Sequence, residues 1–368
     1  MISKVLYGVV FDILSLCINT RRHNLIIEPI HMKKHKRIVI EANGSTDVLK
    51  TVEEALPELK PGEVRVRVLA AGVGFADVMA QHGGYPLAPK LPFTPGYDFA
   101  GLVDQIGEGV TGIMKGQYVA ALNPKFGCYA EYICVRPELL VSVPDAIDPA
   151  EVVSLILNYL TAHCILHKKG HLREKETVLI HAAGGGVGTA LLQLGKLLNL
   201  QMYGTASVRK HDIVREFGGI PIDYRNHDFL EFIHKEIPDG VDAAFDPIGG
   251  DNLRRSYQAV RKGGRIISYG FAGQKFGGLG RMIFGVLLMS LLNTWPDGKR
   301  VRLCATPGEV KKDNLWYRET LTGLLKMLSA REIQPVIGAR VPLVQVQRAH
   351  RLMEEGSVCG KVVLLNET

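Results

Sequence analysis

The sequence predicts an α/β protein in two linked parts, a β unit of short strands and a doubly wound parallel sheet. Three observations carry that expectation. Residues 178–198, VLIHAAGGGVGTALLQLGKLL, run from an apolar strand through a glycine turn into apolar residues at helical spacing. Between Arg37 and about residue 143 the chain reads as short alternating strands, such as EVRVRVLAAGVG, separated by Gly/Pro turns. From residue 177 onward, strand and helix signals alternate, the pattern of a parallel sheet covered by helices.

Taken in order, RIVIEANG and a turn at Lys60-Pro61-Gly62 open the β unit, and TPGYDFAGLVDQIGEGV, GQYVAAL and YAEYICV continue it. A helix is expected from Pro149 to His167. Strands are then expected at 177–181, 200–205, 219–223, 241–246 and 264–269, with helices between and a further helix at 313–330. IQPVIGARVPL, a helix at 344–355 and a final strand GKVVLL form a piece too small to stand alone, expected to complete the first β unit. The expected boundaries are 1–36 for an extension or leader, 37–160 with 331–368 for the β domain, and 161–330 for the nucleotide-binding domain.

A chain of 368 residues is ample for two domains. The net charge of +7 first suggests nucleic acid, but residues 1–37 hold seven Lys/Arg against Asp12 and Glu28. The other 331 residues carry only +2, so a nucleic-acid role has little support. Six cysteines show no C-x-x-C pair, which reads as thiols in a reducing, cytoplasmic setting. Residues 5–18 are apolar but interrupted by Asp12, with no cleavage site before Arg21-Arg22. The expectation is an unstructured extension, or an upstream start with the working chain beginning near Met32. A mitochondrial leader is the alternative. No stretch is read as reaching the roughly 18 apolar residues of a membrane span.

The motif Ala183-x-Gly185-x-x-Gly188 fits a dinucleotide fingerprint with alanine in its first slot. Gly185, Gly186 and Val187 would bring backbone N–H groups to a pyrophosphate, and Gly188 would let the helix pack on the strand. The second strand of such a fold usually ends in an acid that binds the ribose of NAD. Here it ends Ser207-Val208-Arg209-Lys210, a hydroxyl and two cations suited to the extra phosphate of NADP(H). A solvated helix start is the plainer reading of Arg209 and Lys210.

AAGVGFADVMAQHGGYP (70–86), LPFTPGYDFAGLVDQIGEGV (91–110), HAAGGGVG (181–188), GVDAAFDPIGG (240–250), GGRIISYG (263–270) and GKVVLL (360–365) follow one another as landmarks. Together they resemble the medium-chain dehydrogenase/reductase superfamily over residues 38–368. Within it they are similar to the zeta-crystallin-like quinone oxidoreductases and the vesicle amine transport protein homologues, whose wording GTASVRKH also follows. The resemblance implies a GroES-like β domain with a Rossmann domain, a homodimer and a small carbonyl or quinone substrate. It adds Thr161, Tyr224, Gly270 and Lys361 to the cofactor residues and makes Tyr85 the proton donor or oxyanion partner, a catalytic or substrate-orienting residue. Thr161 also reads as a helix-packing threonine, and Tyr85 as a packed aromatic.

Where zinc alcohol dehydrogenases supply Cys and His ligands, this chain has Gly74 and Tyr97, so a zinc-free enzyme is expected. The quinone site's Asn and second Tyr are replaced by Gly74 and Met79, although His82 and Tyr97 could add polarity. The leading expectation is an NADPH-dependent reductase of quinones or α,β-unsaturated carbonyl or enoyl acceptors. A non-catalytic NADPH-binding protein is the alternative, and a zinc alcohol dehydrogenase the weaker one. The apolar segment Met282–Leu292, followed by Trp295, reads as a lid or interface helix, or as a membrane-surface contact.

Overall fold

In a computed structural model, the described residues are 33–144, 147–271, 273 and 279–366. The readings of residues 1–32, and of most of the glycine-rich loop at 272–278, lie outside them.

The β part begins with a hairpin of β1 (Lys34–Ile40) and β2 (Leu49–Ala55). Its main sheet holds β3 (Val64–Val73), β4 (Asp98–Ile106), β5 (Tyr118–Leu122) and β7 (Val141–Ser142), with β6 (Tyr132–Val135) on β3. A short helix α1 (Phe75–Gln81) leaves β3 directly. Alternation dictates the faces: in β3 Val64, Val66 and Val68 are buried, while Arg65 and Arg67 are less so.

Helix α2 (Pro149–His163) starts where Asp148 accepts the Ala150 N–H at 2.9 Å, with Pro149 in the first turn. It continues as a π-type segment to Lys169. This 21-residue run, with mean hydropathy 1.3, does pass a membrane-span test on length and composition, contrary to the sequence reading. The window is 78% buried, because Leu155, Ile156, Leu160 and Ile165 are fully enclosed by the fold. It is a core helix, each such side chain contributing about 1.5–3 kcal/mol by its burial.

The second sheet is wholly parallel and runs β10 (Gly219–Asp223), β9 (Gln201–Ala206), β8 (Thr177–Ile180), β11 (Val241–Asp246), β12 (Val260–Ser268), β13 (Arg300–Leu303). Numbered within the domain this is the order 3-2-1-4-5-6, whose strand reversal between β8 and β11 opens a crevice at the carboxyl ends. The chain's fold class is therefore α/β with a doubly wound sheet. The sequence reading had five strands; RVRL at 300–303 is too short and too charged to stand out as the sixth.

Helices α3 (Gly186–Leu197), α4 (His211–Glu216), α5 (Phe229–Glu236), α6 (Asp251–Ala259), α7 (Leu279–Leu292), α8 (Thr306–Lys312) and α9 (Asn314–Ser329) complete this part. Strand β14 (Ile337–Pro342), helix α10 (Val346–Glu355) and strand β15 (Lys361–Leu365) then return to the first sheet, where β15 pairs antiparallel with β3.

Candidate active site

The phosphate loop is built at the end of β8. Its left-handed residue is Ala182 (φ 53°), a conformation costing about 1–2 kcal/mol in a non-glycine residue. Thr205 on β9 pins it: its hydroxyl accepts the Ala182 N–H at 3.3 Å, and its carbonyl accepts the Ala183 N–H at 3.0 Å. A Cβ on Gly188 would lie 2.3 Å from the Ala182 carbonyl oxygen and 2.6 Å from the Ala183 Cα, so only glycine lets α3 sit this close. Gly185, Gly186 and Val187 remain partly exposed, and the first turn of α3 carries no acid. The unpaired N–H groups of a helix start, with nothing to neutralise them, suit an anion. Asn158 of α2 closes the other side, its amide occupying the space a Cβ on Gly186 would need.

At the end of β9, Ser207 is buried and Arg209 is exposed. Lys210 lies across Gly184 and donates to the Val358 carbonyl at 2.5 Å. Burial holds the Lys210 amine below its usual range, and the nearby Arg209 and Arg225 push it the same way, against the pull of Cys359. Tyr224 is exposed, its ring 6.0 Å from the Arg225 guanidinium. Arg225 was missed in the sequence, although it follows Tyr224 directly. The acid of this region, Asp223, caps its own turn by accepting the Arg225 N–H and the Asn226 amide.

Thr161 on α2 is buried, donating to Leu157 O at 2.7 Å and sharing a 2.7 Å hydrogen bond with Thr306. Gly270 packs on Pro247, whose carbonyl oxygen would be 2.8 Å from a Cβ there. Lys361 is turned away from the loop: its amine pairs with Asp98 Oδ2 at 3.0 Å, both side chains buried. Its neighbour Gly360 makes the contact instead, donating to the Gly184 carbonyl at 3.1 Å. The C-terminal return thus fastens the β sheet to the phosphate loop.

Tyr85 is half-buried and receives a 3.2 Å hydrogen bond from the Tyr97 hydroxyl. Behind it, Asp77 is fully buried and accepts from the N–H groups of Gly74 (2.8 Å) and Gly96 (2.9 Å) and from the Tyr129 hydroxyl (3.2 Å). Burial pushes its carboxyl up to about 6 despite those donors. A side chain at Gly74 would press on Asp77 Oδ2 (3.3 Å) and Leu157 Cδ2 (3.4 Å). Leu157 donates its N–H to Asp98 and precedes Asn158, so α2 connects the Tyr97–Asp98 strand start with the phosphate loop. Met79 is buried, and His82 pairs with Glu354 at 2.7 Å, a structural role. Among the described residues no three His, Cys, Asp or Glu side chains converge as a metal site. Cavities of about 410 Å³ beside Arg318 and about 280 Å³ beside His163 lie away from this seam.

A glycine-loop Rossmann crevice closed by a β domain defines a dinucleotide-dependent oxidoreductase of two-domain type. The comparisons agree: residues 60–145 match the alcohol dehydrogenase GroES-like domain, and residues 219–364 the zinc-binding dehydrogenase family. The chain is 34% identical over 346 residues to the synaptic vesicle membrane protein VAT-1 homolog of Danio rerio, covering 90% of this chain and 70% of that one. The solved human VAT-1 homolog-like protein superposes with a TM-score of 0.77 at 26% identity, covering 91% of this chain and 99% of its own. Escherichia coli quinone oxidoreductase, solved with NADPH, gives 0.81 at 25% identity, covering 90% and 99%. The chain belongs to the medium-chain dehydrogenase/reductase superfamily, among the VAT-1 homologues, and is similar to the quinone oxidoreductases.

Proposed function

We propose that this protein is a zinc-independent reductase that uses NADPH to reduce a quinone or an α,β-unsaturated carbonyl or enoyl acceptor. The observation that carries the reading is the gathering of Arg209 and Lys210 after β9 with Arg225 after the neighbouring β10, where the end of β9 lacks an acid selecting NAD. The NADPH complex of the Escherichia coli relative supports it. The loop fits the group: the amides of Gly186 and Val187 suit a pyrophosphate, and the cations suit the additional phosphate.

Bound NADPH supplies a hydride. On that reading Thr161 and Gly270 would hold the nicotinamide end, and the Gly360–Gly184 contact ties the β domain to the phosphate loop. As hydride reaches the β-carbon of an enone, the π electrons move to the carbonyl oxygen. The Tyr85 hydroxyl gives its proton to the resulting enolate, and its phenolate recovers one from water. Tyrosine suits this because its neutral phenol donates without first needing to be charged.

Replacing Arg209 and Lys210 by alanine is expected to lower kcat/KM for NADPH about 10- to 100-fold and to leave the NADH value nearly unchanged. That range corresponds to about 1.5–3 kcal/mol for charge-assisted bonds. Parallel losses with both cofactors would refute the phosphate assignment.

One observation favours a second reading, an NADPH-binding protein that works through partners or a membrane surface. Helix α7 exposes Ile283, Phe284, Val286, Leu287 and Leu291, and Trp295 continues the same stripe. The substrate panel described in the Discussion separates the two readings.

A further inference from the structure

We propose that Tyr97 is a positioning residue for Tyr85, committing its own hydroxyl proton to the Tyr85 oxygen so that the Tyr85 proton is the one left to give. This rests on the reading of Tyr85 as the proton donor.

The geometry sets the direction of the bond. Tyr97 is 1% exposed, and its ring lies against Phe126 with centroids 4.0 Å apart. A hydroxyl buried this deeply needs a partner, and its partner is the Tyr85 oxygen at 3.2 Å, with Tyr97 as donor. Accepting that bond leaves Tyr85 with its own proton uncommitted, because among the described residues its hydroxyl donates to none. The ring is held as well as the oxygen. Tyr85 makes edge contacts with Tyr97 (6.2 Å, 80°) and Phe126 (6.0 Å, 73°).

Phe126, the residue between them, is itself strained. Its φ of 66° is unusual for a bulky side chain, yet it is 2% exposed and braced by the Asn123 amide, which donates to its carbonyl at 2.5 Å. The fold therefore maintains a costly backbone conformation at the residue that clamps both tyrosines.

The electrostatic consequence follows from the same contacts. Burial makes the Tyr85 phenol a weaker acid, and the Asp77 carboxylate from α1 acts in the same direction. The Tyr97 hydrogen bond opposes them by stabilising the phenolate. Behind Asp77 stand Tyr129, Asp98 and Lys361, none of which bonds to Tyr85.

The test uses the full chain labelled with carbon-13 tyrosine, with Tyr85→Phe identifying the Tyr85 signal. In Tyr97→Phe, which keeps the ring, the Tyr85 titration is expected to move to higher pH. With NADPH and either crotonaldehyde or menadione, Tyr97→Phe is expected to lower kcat about three- to tenfold at unchanged NADPH affinity. Added to Tyr85→Phe, it is expected to lower kcat no further. An unmoved Tyr85 titration, or the same loss of kcat on the Tyr85→Phe background, overturns the proposal while leaving Tyr85 as donor. Full turnover in Tyr85→Phe, or none in the unmodified chain with either acceptor, removes the donor reading and this proposal with it.

Discussion

Replacing Lys361 by methionine is expected to destabilise the fold by about 3–5 kcal/mol. The Lys361 amine is the counter-charge of Asp98, and the pair is buried to 2% and 0% exposure. Removing the amine strands a carboxylate that keeps only the Leu157 N–H at 3.2 Å, while its other oxygen already has no partner. The pair sits directly over Gly72, where a Cβ would come within 2.4 Å of both side chains, so neither can swing to water without moving β3. The companion variant Asp98→Leu with Lys361→Met removes both charges and is expected to recover most of the loss, since an apolar pair has no charge to desolvate. Denaturant unfolding of the single and double variants measures both. If the single variant is as stable as the parent, the buried-pair account fails.

The second large effect is expected at Tyr85. Tyr85→Phe keeps the ring contacts with Tyr97 and Phe126 but removes the proton, and kcat is expected to fall at least about tenfold, with NADPH binding intact. The variant also leaves the Tyr97 hydroxyl without its acceptor, a penalty of about 1–3 kcal/mol that thermal unfolding registers separately from turnover. An unchanged kcat would take Tyr85 out of the mechanism.

Much of the fold was legible because its determinants are local. The turn at 182–188 needs glycine at Gly188 for a contact made within six residues of chain, so the motif and its reason lie together in the sequence. The alternation in β3 and the helical spacing in α3 are local as well. Lys361 is the opposite case. GKVVLL is recognisable, but the lysine's partner lies 263 residues away, and only the folded register of β15 on β3 aims its amine at Asp98. The link between Tyr97 and Tyr85 depends in the same way on how the loop before β4 folds back. The apolar run of α2 shows a further limit: hydropathy alone passes it as a membrane span, and only its enclosure by the β-domain sheet and helices α3 and α9 makes it a core helix. Arg225 could have been found, because a cation beside Tyr224 at the end of a nucleotide-fold strand is itself a signal.

The central claim is that a phosphate-selecting Rossmann crevice and a tyrosine donor make this chain a reductase. The measurement that tests it most directly is NADPH oxidation by the purified full chain across enones, enoyl thioesters and quinones, run beside NADPH binding and metal analysis. The account predicts tight NADPH binding and turnover of at least one acceptor class without a stoichiometric metal. Tight binding with no turnover of any class, or activity that needs bound zinc, would contradict it.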